Sequence, residues 1–137
     1  MSNRSKYVLD TNIIVSALLF RESLPRQVFD QAKSSGIILI SQSTLSEIQN
    51  VLARPKLRRY ITPSERDLFL ISFAKTAKLI KIQQTITACR DPKDNKFLEV
   101  AVNGGAKAII SGDQDLLLLH PFNNISILTA KQFLELE

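Results

Sequence analysis

One cysteine, Cys89, and one histidine, His120, are all that the 137-residue chain contains of either type. An internal disulfide is impossible, which agrees with a reducing compartment. A structural zinc site, which takes about four thiolate or imidazole ligands, lacks the ligands to form. Long apolar runs are missing too. None approaches the roughly 20 residues of a membrane-spanning helix, so no membrane partner is expected. The opening Met1–Lys6 leads into a run too short and too quickly acidic for a secretory leader, and a cytoplasmic location is expected. Repeats, low-complexity tracts and linkers are absent, which points to a single domain over residues 1–137. No aromatic-rich stretch is available for base stacking, so base specificity is not legible.

Against these absences stand a normal share of hydrophobic residues, 45%, and a net charge of +5. The first is enough for a core without staples. The second favours attraction to polyanions and says nothing more.

The chain is organised around its first apolar run. Tyr7-Val8-Leu9 reads as a buried strand and stops at Asp10-Thr11-Asn12. Ile13 to Phe20 then reads as a helix. An acid at the carboxyl end of a core strand stands where open α/β sheets bind ligands. Any of the three polar residues could instead cap the helix.

A second helix follows Leu24-Pro25 and ends at Gly36, read as its C-terminal cap. Ile37–Ile40 reads as a second strand, continuously apolar as parallel strands are. Ser41–Thr44 starts a helix carrying Leu45, Ile48, Val51 and Leu52, and Thr62–Glu65 starts another with a capping box. Leu79–Ile82 reads as a third strand. Asp91-Pro92-Lys93-Asp94 opens a helix that Gly104-Gly105 closes. Ala106–Ile110 and Ile125–Leu128 read as strands four and five, with a terminal helix from Thr129. This alternation predicts an α/β fold, a three-layer α/β/α sandwich on a mostly parallel sheet of about five strands.

Asp10 comes directly after the first strand, and Asp113 comes after the fourth, past Ser111-Gly112. Parallel strands share a direction, so both acids gather on one sheet edge. Asp94, read at the third helical position, and Glu47, read in a first turn, join them. Asp115 is a further candidate. Each acid also has a structural reading: Glu47 completes a Thr44-x-x-Glu47 capping box, Asp94 suits a helix dipole, and Asp113 could cap the short Leu116 helix. Asp91 reads as the cap of its own helix. Convergent carboxylates raise each other's pKa unless a cation offsets them. With oxygen ligands only, Mg2+ or Mn2+, as one or two ions, is the expected cofactor.

Tyr7-Val8-Leu9-Asp10-Thr11-Asn12 resembles the opening of a PIN domain, a family of metal-dependent ribonucleases. Asp91–Ala101 resembles its central helix motif, and Ile109–Leu117 its late strand-and-loop motif. The resemblance implies metal-binding and catalytic roles for Asp10, Glu47, Asp94 and Asp113, with Thr11, Asn12 and Ser111 as supporting polar residues. It also implies that the chain could be the toxin of a bacterial toxin–antitoxin pair.

The chemistry that suits such a site is metal-assisted phosphodiester hydrolysis. A set of acids repels phosphate, so basic residues must supply attraction: Arg21, Arg26, Arg54, Lys56, Arg58, Arg59, Arg90, Lys93 and Lys96 are candidates. Each could equally be a solvated charge. Single-stranded RNA is the expected substrate. A cognate antitoxin and a second copy of the chain, in a homodimer or higher homo-oligomer, are the other expected partners. Two alternatives remain open. One is a non-catalytic RNA- or protein-binding module. The other is a phosphate-accepting receiver domain, for which Lys131 is a poor match to the required lysine.

Overall fold

The computed structural model describes residues 4–136. The first three residues, on which the expectation of no secretory leader partly rests, lie outside it. Five strands form one sheet: β1 (Ser5–Leu9), β2 (Gly36–Ile40), β3 (Lys78–Leu79), β4 (Ala108–Ile110) and β5 (Ser126–Leu128). Their order is β3-β2-β1-β4-β5, and all four pairings are parallel. The expected sandwich is therefore built on a wholly parallel sheet.

The helices are α1 (Thr11–Leu19), α2 (Leu24–Ser35), α3 (Gln42–Leu52), α4 (Pro63–Thr76), α5 (Asn95–Gly104), α6 (Gln114–Leu117) and α7 (Ala130–Leu136). Strand side chains alternate faces, and the core divides accordingly. Tyr7, Leu9, Ile38, Ile40 and Ile110 pack under α1 to α4 and α7, with Ile14, Val28, Ile48, Phe73 and Phe133. Val8, Leu39, Ile109 and Ile127 pack on the opposite face under α5 and α6, with Leu98, Val100 and Leu116. No helix among the described residues is long and apolar enough to cross a membrane.

From β1 the chain winds outward through β2 to β3, then returns to the other side of β1 as β4. The two crossovers cover opposite faces. Their parting leaves a crevice at the carboxyl ends of β1 and β4, which are in register from Tyr7↔Ala108 to Leu9↔Ile110.

Three expectations change. The third strand is Lys78–Leu79 rather than Leu79–Ile82. Ile80 still donates its N–H to the Ile40 carbonyl at 2.7 Å, but the pairing ends there, and the Ile80 and Ile82 side chains pack against the α5 core. The box at α3 runs from Ser41 to Thr44, because Ser41 directly after β2 is already free to accept the Thr44 N–H at 3.1 Å. Glu47 therefore lies in the second turn and caps nothing. Asp94 ends a 3-10 turn at Pro92–Asp94 and stands just before α5, not at its third position. Gly36 does cap α2, but in extended conformation. Its lack of a side chain serves close approach, since a Cβ there would lie 2.2 Å from the Ser5 carbonyl oxygen. Gly105 ends α5 in the left-handed region, at φ 68°.

Candidate functional site

Asp10 leaves β1 and caps α1, so both sequence-level readings of it meet in one side chain. Its Oδ1 accepts the Ile13 backbone N–H at 2.8 Å, and its Oδ2 accepts the Ser111 hydroxyl at 2.5 Å. It is 5% exposed. Burial pushes its carboxyl above the usual range, and the bonds from Ser111 and Ile13 only partly oppose that.

Ser111 follows β4 and is fully buried. Besides donating to Asp10, its Oγ accepts the Asp113 backbone N–H at 2.9 Å. Asp113 caps α6, accepting the Asp115 N–H at 2.8 Å. A single hydroxyl thus ties the ends of the two central strands together.

Asp94 is placed by the turn that Asp91 initiates, where the Asp91 side chain accepts the Lys93 N–H at 3.0 Å. Asp94 makes no cap bond of its own, and its Oδ2 is buried without a hydrogen-bond partner. Its carboxyl is pushed up to about 7, first by burial and then by the facing Asp113 charge.

Glu47 comes in from α3. Thr11, next to Asp10, donates its hydroxyl to Oε1. The Lys96 ammonium donates to Oε2 at 2.5 Å. Partial burial works to raise the Glu47 carboxyl, but Lys96 and Thr11 together outweigh it and hold it below its usual value.

Asp10, Thr11, Asn12, Glu47, Asp91, Asp94 and Asp113 line one open cleft of about 280 Å³ with Val51, Arg54, Lys93 and Phe97. The expected quartet therefore shares a cleft, but no three of its members crowd together. The carboxylate oxygens that lie within 4.8 Å of one another belong to Asp91, Asp94 and Asp115. Asp91 is legible in the sequence only as a cap. The signal that it does more is its spacing: three residues before Asp94, across one turn, it shares Asp94's side of the chain.

The basic candidates separate. Arg54 and Lys93 line the cleft. Arg90 reaches Asp115 at 2.5 Å, and Lys96 is held by Glu47. Lys56, Arg58 and Arg59 are exposed on a 3-10 turn, Pro55–Arg59, next to Arg54. Arg26 pairs with Asp30 at 3.2 Å, and neither it nor Arg21 lines the cleft. His120 is occupied elsewhere, its Nδ1 accepting the Ile127 N–H at 2.8 Å.

The residues fit a hard divalent cation. Every metal-ligating atom that faces the cleft is oxygen, and Asp94 presents a buried oxygen that no protein group satisfies.

Among proteins of known sequence, an uncharacterized protein of Methanocaldococcus jannaschii is 34% identical, over 95% of this chain and 90% of that one. Two solved structures share the fold. VapBC2 from Rickettsia felis, bound to a DNA fragment from their promoter, matches with a TM-score of 0.59 at 15% identity, over 90% of this chain and 98% of that one. PAE2754 from Pyrobaculum aerophilum matches with a TM-score of 0.60 at 14% identity, over 96% and 88%. The PIN domain family model covers residues 6–115, from the start of the Asp10 motif through Asp115. With that span matched, and the strand-end acids it contains gathered in one cleft, the chain belongs to the PIN domain family.

Proposed function

We propose that the chain is an endoribonuclease that uses Mg2+ or Mn2+ to hydrolyse phosphodiester bonds of single-stranded RNA. The observation that carries the reading is the cleft at the β1/β4 switch point, where acids converge around the unsatisfied oxygen of Asp94. Asp94 would hold the cation together with Asp91 and Asp115, whose carboxylate oxygens lie within 4.8 Å of its own and of each other, while Asp10 and Asp113 line the same cleft. A divalent ion there supplies a Lewis acid that lowers the pKa of water and offsets charge on phosphate oxygens.

The chain's own groups do the rest. Ser111 and the Ile13 N–H hold the Asp10 carboxylate in one orientation. Arg54 and Lys93 bring cationic charge to the rim, where it draws the RNA backbone toward an otherwise repellent acid set. Lys56, Arg58 and Arg59 extend that charge away from the cleft. An open cleft, rather than an enclosed cavity, suits a flexible single strand. The resemblance to toxin PIN domains extends the reading to a toxin with a cognate antitoxin, and to a homodimer or larger homo-oligomer.

The test is cleavage of end-labelled single-stranded RNA with Mn2+ or Mg2+, with EDTA and Asp94→Asn as controls. Cleavage that needs the ion and Asp94 is expected. A folded protein that binds the ion and RNA but cuts nothing would favour a non-catalytic binding module.

A further inference from the structure

Glu47 differs from the other acids of the cleft in arriving already neutralised. Both of its oxygens are engaged, one by the Thr11 hydroxyl and the other by the Lys96 ammonium at 2.5 Å. The pair bridges α3 and α5, and its side chains are only 30% and 19% exposed. It is thus shielded compared with a rim pair in open solvent. The Asp side of the cleft has no matching provision. Among the described residues no cation pairs with Asp94, whose Oδ2 receives no donated hydrogen bond, and Arg90, which is 73% exposed, reaches only Asp115.

Resting on the metal-dependent reading above, we propose that Lys96 is a resident counter-cation that neutralises Glu47 and limits the cleft to one divalent ion. A second divalent ion at Glu47 would sit beside an ammonium already in contact with the carboxylate. Like charges at that separation repel strongly where solvent screens them poorly. The ion would have to displace Lys96 and forfeit a charge-assisted hydrogen bond. At the Asp side, in contrast, a cation adds a partner to an oxygen that lacks one. Lys96 is therefore a positioning residue. It does not line the cleft itself and sets the number of ions through Glu47.

The number of ions can be counted without RNA. Titration of the full chain with Mn2+, reading free ion by electron paramagnetic resonance, should give one ion per chain for the wild type. Lys96→Met keeps the length and removes the charge, and should give two. Lys96→Arg should return the count to one. Lys96→Met combined with Glu47→Gln should also give one, because the freed ligand is gone. Melting curves in EDTA identify any variant that does not fold, and Lys96→Gln then replaces Lys96→Met. Two ions in the wild type, or one in a folded Lys96→Met, overturns the proposal while leaving the metal-dependent reading intact. No ion bound by the wild type overturns both.

Discussion

Ser111 and Asp10 lie 101 residues apart in the chain and are joined by one 2.5 Å hydrogen bond across the ends of β4 and β1. The same hydroxyl accepts the Asp113 N–H, so two candidate ligands depend on one buried oxygen. Ser111→Ala should lower kcat/KM for RNA cleavage by about 10–100-fold, the usual loss when a group orienting a ligand is removed. It should also cost about 1–3 kcal/mol of stability, because the buried Asp10 carboxylate and the partly buried Asp113 N–H each lose a partner. Kinetics and a denaturant melt measure both. Unchanged kinetics would mean that Asp10 needs no orienting.

The Asp94 carboxyl, raised to about 7, makes stability depend on pH. A carboxyl whose folded pKa lies above its unfolded value near 3.8 holds its proton more tightly when folded. Its contribution is therefore full at low pH, is lost as pH climbs from about 4 to about 7, and stays lost above that. Asp94→Asn should flatten this slope and raise Tm at pH 8 in EDTA. It should also shrink the gain from Mn2+, which for the wild type is about 2.7 kcal/mol at a hundredfold excess over Kd. A mutant no more stable than the wild type at pH 8, in a wild type indifferent to Mn2+, would remove the electrostatic basis of the site.

Asp91 tests whether a helix cap can double as a ligand. Asparagine caps as well as aspartate, so Asp91→Asn should leave Tm in EDTA unchanged. If Asp91 shares the cation with Asp94 and Asp115, the Mn2+ Kd should rise by about tenfold. An unaltered Kd would return Asp91 to capping alone.

Arg54 and Lys93 are the cationic residues that line the cleft, and RNA affinity should register them individually. Replacing either with Gln should make the slope of log K against log salt shallower by about 0.7. Arg26→Gln, whose guanidinium is already paired with Asp30, should leave the slope where it was. Equal effects from Arg54 and Arg26 would indicate general attraction rather than a path into the cleft.

The strand-end acids are readable in the sequence because a parallel sheet converts chain position into place: strands pointing one way deliver the residues after them to one edge. Asp10 and Asp113 need only that rule. Glu47 is misplaced by a local pattern. Thr44 and Glu47 have capping-box spacing, but Ser41 reaches the free amides first. Its bond to Lys96 spans 49 residues and has no local signature at all. Asp91 is hidden for the opposite reason, since its capping role is real and accounts for its presence without reference to the cleft. The third strand comes out too long because Ile80 and Ile82 are apolar, and apolarity alone does not distinguish a ladder from a side chain turned under a neighbouring helix.

The placement of β4 beside β1 has a consequence for the time at which the chain can act. Val8 pairs with Ile109, and none of the strands between them in sequence supplies the acids that come after β4. Contacts this distant in sequence are the late ones in folding, because a long loop must close before they form. A growing chain that has emerged only as far as α5 has no Ser111 to hold Asp10 and no Asp113. For a ribonuclease of the kind proposed, the cleft is then complete only once β4 and the residues that follow it have been made.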